Sequence, residues 1–166
     1  MKKFTAIWSL ACLLALLAVC GRTHKAEMLD SPPDLTVSCG AGEVTAWRGS
    51  YTWEWGDGIT AQGVCADSPH PLDVLEELPI LAAEPGDRLT LTAAARPDGL
   101  SVYAYRVEDI PASTRIEGTE VSLSGGNTLV LPENGTGTVY EVRGTWDMDT
   151  WGGSACYAFY VPEENK

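Results

Sequence analysis

The clearest alternation of apolar and polar residues in this sequence lies between residues 138 and 161. In the first half of this stretch an apolar row alternates with polar or charged positions, as in a strand with one buried face. That row comprises Tyr140, Val142, Gly144 and Trp146. In the second half both rows are largely apolar, which is typical of a central strand. Turn-forming residues separate the halves, namely Asp147, Asp149, Gly152 and Gly153. The stretch therefore predicts a β-hairpin whose aromatic face a second sheet must cover.

Shorter alternating segments precede this hairpin and predict further strands. They are residues 35–39, 44–47, 51–55, 89–93, 102–107, 121–123 and 129–131. In one of these segments Tyr51, Trp53 and Trp55 share a face at period two. The last two segments flank a Ser-Gly-Gly-Asn turn at 124–127. We therefore expect these two segments to pair as a hairpin.

Two segments break this pattern. Residues 59–71 show no alternation and end in Pro-His-Pro, so an irregular connection is predicted there. Leu72, Leu75 and Leu78 have helical spacing, but Pro79 limits the element to about two turns. Short strands at intervals of roughly 8 to 12 residues, with at most one short helix, predict an all-β sandwich or barrel.

A resemblance specifies the fold further. The residues that carry it are Gly137, Tyr140, Val142, Trp146, Asp147, Gly152, Tyr157, Phe159 and Val161. In this spacing they resemble the last two strands of bacterial immunoglobulin-like domains, which implies an immunoglobulin-like antiparallel β-sandwich. Through segments 33–37, 49–53 and 70–72 as well, the chain is similar to small lipoproteins of Gram-positive bacteria. Neither resemblance supplies catalytic residues.

The N-terminal residues have the pattern of an export signal. Lys2 and Lys3 follow Met1 as a short basic region, and residues 4–19 form an uncharged run. This run has about the length of a signal-peptide core and is short for a membrane span. We therefore predict a signal peptide at 1–19 and a folded domain outside the cytoplasm.

A lipid anchor is predicted at the end of this signal. Residues 17–21, LAVCG, resemble the lipobox of bacterial lipoproteins, although Val19 departs from the small residue that this motif prefers. The resemblance implies cleavage before Cys20 and attachment of a lipid to this cysteine, which would hold the protein at the cell membrane. The alternatives are an uncleaved membrane anchor and secretion after cleavage within residues 21–26.

The remaining chain divides by composition. Residues 20–34 are polar, end in Ser-Pro-Pro-Asp and predict a flexible tether. Residues 35–162 are assigned to the sandwich, and residues 163–166 form a polar tail.

The charge balance limits the partners. Removal of residues 1–19 takes away two lysines and changes the net charge from −12 to −14. Nucleic acids and anionic membrane surfaces are bound through Lys and Arg patches. The acidic balance therefore predicts no nucleic-acid partner.

Residues for catalysis or metal binding are scarce. His24 lies in the predicted tether and His70 between two prolines, which leaves no material for a Ser-His-Asp triad or a multi-histidine metal site. The sequence contains no phosphate-binding, hydrolase or zinc-protease motif. Asp57, Asp147 and Asp149 lack the full ligand series of a calcium loop. We predict no catalytic residue, no metal site and no cofactor.

The cysteines leave two interpretations open. Cys39, Cys65 and Cys156 follow Cys20. Outside the cytoplasm they allow one disulfide plus a free thiol, with no pairing favoured by the sequence. The other interpretation is that they are small buried side chains in strands.

Tryptophan is the most promising feature for binding. Five of the six tryptophans follow residue 19, which is more than one core usually buries. Trp151 beside a turn, with Trp55 and Trp47 near strand ends, is predicted to form an exposed platform that stacks on a sugar or a peptide. The alternative is that these tryptophans close the ends of the sandwich.

The sequence thus predicts an extracytoplasmic, lipid-anchored binding or sensory accessory module without catalytic activity. Its predicted partners are the membrane, through Cys20, and an unknown protein or glycan. A carbohydrate-binding surface protein is one alternative, which a contiguous row of exposed Trp and Tyr would favour. A hydrolase or inhibitor with an unrecognised site is the other, which a deep cleft with converging carboxylates would favour.

Overall fold

The computed structural model describes residues 28–109 and 117–163. The predicted signal peptide, Cys20, residues 20–27 of the predicted tether and residues 164–166 of the tail lie outside this part of the chain. The strands are Leu35–Cys39 (β1), Gly42–Thr45 (β2), Trp47–Gly56 (β3), Ala61–Ala66 (β4), Arg88–Ala93 (β5), Gly99–Arg106 (β6), Thr119–Val121 (β7), Leu123–Ser124 (β8), Thr128–Val130 (β9), Thr138–Met148 (β10) and Trp151–Val161 (β11). Two 3₁₀ segments occur at Pro71–Glu77 and Val107–Asp109. Within the described residues, no helix has the length and apolar character needed to cross a membrane.

Two antiparallel sheets pack face to face, which confirms the all-β sandwich. The five-stranded sheet has the order β2-β1-β5-β9-β8, and the six-stranded sheet has the order β4-β3-β11-β10-β6-β7. Strands β1-β5-β9-β8 match A-B-E-D of an immunoglobulin-like sandwich, and β7-β6-β10-β11 match C′-C-F-G. The β3–β4 hairpin is an addition to this arrangement and extends the six-stranded sheet beyond β11.

A buried tyrosine supports this assignment. The hydroxyl of Tyr140 donates a hydrogen bond to the carbonyl oxygen of Gly135 at 2.9 Å. A tyrosine near the start of strand F that bonds back to the backbone a few residues upstream is the tyrosine corner of immunoglobulin-like domains. The Tyr140 ring also stacks on Phe159, with ring centroids 5.4 Å apart. This residue therefore fixes the entry into the last hairpin.

The predicted last hairpin is the centre of the six-stranded sheet. Strands β10 and β11 pair from Thr138 opposite Val161 to Met148 opposite Trp151. The apolar row predicted for β10 faces the five-stranded sheet and is buried. Gly144 in this row is required by packing, because a Cβ at this position would lie 2.6 Å from the Trp146 ring. The predicted faces of β10 are therefore correct between Tyr140 and Trp146, except that Glu141 on the outer face is buried.

That exception arises because the outer face of the six-stranded sheet is partly covered. The predicted short helix is the 3₁₀ helix Pro71–Glu77, and it begins with the His70 side chain accepting a hydrogen bond from the Leu72 N–H. A second apolar cluster forms on this face, with Leu78, Tyr105, Val139 and Ala158 buried and leucines of the 3₁₀ helix packed against them. Outward-facing residues of β6, β10 and β11 are therefore buried as well.

Residues 29–34 are part of the packed domain, although the sequence analysis assigned them to the tether. The Trp53 indole N–H donates to the Leu29 carbonyl oxygen at 3.0 Å, and the Tyr157 hydroxyl donates to the Pro33 carbonyl oxygen at 2.6 Å. Pro32 and Pro33 are buried. The first strand still begins at Leu35 as predicted.

Two further assignments were wrong. The irregular connection predicted at 59–71 contains strand β4, at the edge of the six-stranded sheet. The hairpin predicted between 121–123 and 129–131 is split between the sheets. Leu123 pairs with Leu129 in the five-stranded sheet, whereas Val121 pairs with Val102 in the other. Ser122 lies between β7 and β8, so the chain passes from one sheet to the other at this residue.

Candidate functional site

The three tryptophans predicted to form a platform have different environments. Trp151 is only 4% exposed, so its predicted exposure was wrong. Its ring stacks on Trp53, with centroids 5.5 Å apart, and Trp53 meets Trp146 edge-to-face at the same distance. The turn before Trp151 consists of Asp149 and Thr150 alone, so Trp151 already belongs to β11 and faces the core. Trp151 thus closes the end of the sandwich.

Trp47 and Trp55 lie on opposite faces of β3. Trp55 is half-buried, pairs with Trp151 across the β3–β11 ladder and packs against the main core. Trp47 is also half-buried but packs on the outer cluster beneath the 3₁₀ helix. The structure therefore brings Trp55 and Trp151 together and separates Trp47 from them. In the described residues, no Trp or Tyr is among the large apolar side chains that are exposed.

A groove of about 510 Å³ lies at the end of the sandwich beside Trp55 and Trp151, between the β3–β4 connection and the β10–β11 turn. Ile59 lies in this connection with 93% of its surface exposed. Trp55 and Met148, both half-buried, also line the groove. These side chains give the groove an apolar wall that is open to solvent. Exposed apolar surface and a concave shape thus coincide in this groove.

The connection that presents Ile59 is held by Asp57. One carboxylate oxygen of Asp57 accepts hydrogen bonds from the backbone N–H of Ile59 at 2.9 Å and of Thr60 at 2.8 Å. Hydrogen bonds from the Thr60 and Ile59 N–H groups lower the pKa of Asp57 below its ordinary value. Gly56 allows the tight turn, because a Cβ there would lie 2.1 Å from the Thr60 carbonyl oxygen. The position of the Ile59 backbone is therefore defined by its own loop.

The charge of the groove is negative. Glu54, Asp147 and Asp149 line it, and none of its described lining residues is Lys or Arg. Glu54 and Asp147 are exposed, so their charges face solvent. Such a surface favours neutral or cationic ligands over anionic ones. The indole N–H of Trp151 is buried without a hydrogen-bond partner in the described residues and is not offered to the solvent.

A polar cluster lies around Glu141 on the outer face of the six-stranded sheet, apart from the groove. This carboxylate is 5% exposed. It accepts hydrogen bonds from the Tyr105 hydroxyl at 2.7 Å and from Arg143 Nε at 2.9 Å. The Arg143 guanidinium also lies 4.3 Å from the centre of the Tyr103 ring. Both oxygens of the carboxylate therefore have hydrogen-bond partners, which is what a buried charge requires.

The pKa shifts in this cluster have consistent causes. Burial raises the pKa of Glu141, but hydrogen bonds from Arg143 and Tyr105 and the charge of Arg143 outweigh it, so the pKa lies below its ordinary value. Burial raises the pKa of Tyr105, and its bond to Glu141 adds to this rise. Burial, reinforced by the Glu141 carboxylate, raises the pKa of Cys156 to about 11. The thiol of Cys156 is therefore protonated at neutral pH and a weak nucleophile.

The cysteines of the described chain are unpaired. Cys65 is exposed, whereas Cys39 and Cys156 are half-buried, and all three are free thiols. Within residues 28–109 and 117–163, no group of His, Cys, Asp and Glu side chains is arranged to hold a metal ion.

Sequence reasoning missed Ile59 and Met148 as groove residues. The signal for Ile59 was a Gly-Asp-Gly turn followed directly by a large apolar residue, which is an unusual neighbour for turn chemistry. Met148 gave no such signal, because it was counted with the turn.

Comparison with known proteins adds no assignment: no protein-family model, no curated protein and no solved structure matches this chain.

Proposed function

We propose that this protein is an extracytoplasmic, lipid-anchored binding module without catalytic activity, and that the groove beside Ile59 is its ligand-binding surface. The observation that carries this proposal is the exposure of Ile59, 93% of its surface, beside half-buried Trp55 and Met148 in a concave site. Contiguous apolar surface in a rimmed groove is typical of interaction sites. The loop bonds of Asp57 support the same assignment, since they preorganise the surface for binding.

A peptide segment of a partner protein fits this groove better than a glycan. Sugar-binding platforms present exposed aromatic faces, whereas Trp151 is buried and Trp47 packs under the 3₁₀ helix. An isoleucine flanked by a half-buried tryptophan suits an aliphatic or aromatic side chain of a peptide. The acidic rim adds a preference for Lys or Arg next to that side chain.

The export and anchoring part of the proposal rests on residues 1–19 and on the lipobox-like sequence before Cys20. If Cys20 carries the lipid, the protein should partition into detergent and incorporate a palmitate analogue. The variant Cys20→Ser should lose both properties, because no other residue of the motif can accept the lipid. Metabolic labelling with detergent phase separation measures this. Unlabelled wild-type protein in the culture medium would contradict the anchor.

The groove is tested with a displayed library of random linear peptides and with an array of cell-wall and host glycans. We expect the library to yield peptides that bind the full-length protein in detergent. Ile59→Ser should weaken the selected peptides by at least about tenfold, because it removes the exposed apolar contact. The matched control is Ile80→Ser, since Ile80 is 62% exposed outside the groove. Fluorescence anisotropy of labelled peptides measures the affinities.

Equal affinities of Ile59→Ser and wild type would remove the groove from the proposal. Binding of glycans but not of peptides would instead favour the carbohydrate-binding alternative. Hydrolysis of any bound probe would contradict the assignment as a non-catalytic module.

A further inference from the structure

Strand β4 is an edge strand with an unusual composition for this protein. The described residues leave four edge strands, β2 and β8 in one sheet and β4 and β7 in the other. Three of them are short: β2 has 4 residues, β7 has 3 and β8 has 2. Strand β4 has 6 residues and its side chains are mostly exposed. Its open side therefore presents the longest row of backbone N–H and C=O groups without a strand partner in the described chain.

The residues of β4 lack the usual protection of such an edge. Natural edge strands carry charges, proline or a bulge that prevents pairing with another chain. Strand β2 contains Glu43 and β7 contains Glu120. Strand β4, with the sequence AQGVCA, contains neither a charged residue nor proline. Its six pairs with β3 run from Tyr51–Ala66 to Gly56–Ala61 without a shift in register.

The open edge is continuous with the groove. Strand β4 begins at Ala61, directly after Ile59 and Thr60, and all three residues line the groove. An extended chain laid along β4 would therefore reach Ile59 at the end of the strand. Backbone pairing at the edge and side-chain contacts in the groove would then belong to one binding surface.

Charge distinguishes the possible occupants. Glu54 lies opposite Gly63 on the neighbouring strand, and Asp57 and Asp67 flank β4 at its two ends. All three carboxylates are exposed. A segment that carries Lys or Arg would meet these charges favourably. A second copy of this chain would instead bring the same acidic residues together, which disfavours self-pairing.

We propose that β4 binds an extended, Lys- or Arg-containing segment of a partner protein as an additional strand of the six-stranded sheet. Backbone hydrogen bonds to β4 supply the affinity, and the side chain that reaches Ile59 and Trp55 supplies selectivity. This inference rests on the proposed function, because it names the partner class and the binding mode of the same surface.

A scan of single backbone N-methyl groups along a peptide selected from the random library tests this mode. In an added strand, alternate peptide N–H groups donate to β4, while the intervening ones face solvent. We expect N-methylation to weaken binding by at least about tenfold at alternate positions and by less than about threefold at the positions between them. Binding through side chains alone gives no period of two.

A pair of lysine variants locates the strand. Gln62→Lys places a charge on the open edge and should weaken the peptide by at least about tenfold. Thr145→Lys is the matched control, since Thr145 is exposed on β10 of the same sheet and lies outside the groove. It adds the same charge, so it should reproduce only the electrostatic part of the effect.

The outcomes distinguish strand addition at β4 from peptide binding in the groove alone. A period of two together with a selective effect of Gln62→Lys supports strand addition. A flat N-methyl profile, with peptide binding still lost in Ile59→Ser, leaves the groove as the binding site and overturns strand addition. A dimer of the protein that Gln62→Lys dissociates identifies a second copy as the occupant and overturns the partner peptide. If no peptide binds, both the proposed peptide ligand and strand addition fail.

Discussion

Replacement of Trp53 by alanine is expected to lower the free energy of unfolding by about 3 to 5 kcal/mol. Trp53 is fully buried between the sheets. Its ring contacts both Trp146 and Trp151, and its indole N–H donates to the Leu29 carbonyl oxygen. The substitution therefore leaves a large cavity and also releases the segment that docks before β1. For a domain with an overall stability of about 5 to 15 kcal/mol, this is one of the largest single losses available.

Urea denaturation followed by circular dichroism measures the effect, and Trp47→Ala is the matched control. Trp47→Ala removes the same type of side chain from the same strand, but Trp47 is only half-buried on the outer face. We expect it to lose less than about half as much stability, because less apolar surface is withdrawn from water in the native state. A loss below about 1 kcal/mol for Trp53→Ala would show that the three tryptophans are not one packed cluster. Amide exchange of residues 28–34 should increase in Trp53→Ala alone.

The environment of these tryptophans shows where sequence patterns suffice. In β10 the alternation continues to Trp146, and the burial of this row depends only on which face meets the second sheet. Trp53 and Trp55 likewise share the face that their spacing predicts, since both pack against the main core. Trp151 was misassigned because its neighbours Thr150 and Gly152 suggested a wide turn. The turn is tighter, and its register, which no local pattern reveals, turns Trp151 inward.

Strand β4 and the split of β7 from β8 depended on long-range pairing. Ala61–Ala66 consists mainly of small residues, so its sequence has no apolar alternation from which a strand could be predicted. It forms a strand because it pairs with residues Tyr51–Gly56 of β3. Val121 and Leu123 have the same alternation as an ordinary strand, yet they pair in different sheets. A two-residue period cannot show that the chain crosses from one layer to the other.

The candidate site was predictable only in part for the same reason. Trp55 was found from its residue type and its place near the end of a strand. Ile59 and Met148 became groove residues because the β3–β4 connection and the β10–β11 turn meet in space, more than 80 residues apart in the chain, a proximity that the β3–β11 ladder creates. Glu141 is the opposite case: its position predicts exposure, and the cover over the outer face buries it.

The buried carboxylate of Glu141 leads to the second large effect. Glu141→Ala is expected to lower the free energy of unfolding by about 2 to 3 kcal/mol, because it leaves the buried Tyr105 hydroxyl without its acceptor and removes the charged hydrogen bond from Arg143. The effect should be smaller than for a fully buried ion pair, since the Arg143 side chain is 49% exposed and regains water. Thr145→Ala, on the outer face of the same strand but exposed, is the control and should change stability by less than about 0.5 kcal/mol.

The pH dependence of this effect separates charge from shape. The pKa of Glu141 is lower in the folded protein than the ordinary value of 4.5, because hydrogen bonds from Arg143 and Tyr105 outweigh its burial. Its ionised form therefore contributes stability that is fully present above pH 4.5 and is lost as the pH falls through the folded pKa. Glu141→Gln has nearly the same shape and does not titrate. The stability difference between wild type and Glu141→Gln should therefore be largest at neutral pH and shrink as the pH falls below 4.5.

Urea denaturation of both proteins at a series of pH values measures this difference. A constant difference from neutral pH to well below 4.5 would mean that Glu141 acts through its shape and neutral hydrogen bonds, and that its ion pair with Arg143 adds nothing. The double variant Glu141→Gln with Arg143→Met provides the remaining control. If the pH-dependent part arises from the pair, the pH dependence of the Glu141→Gln effect should be lost or reversed in the Arg143→Met background, because burial raises the pKa of Glu141 and the charged partner that lowers it has been removed.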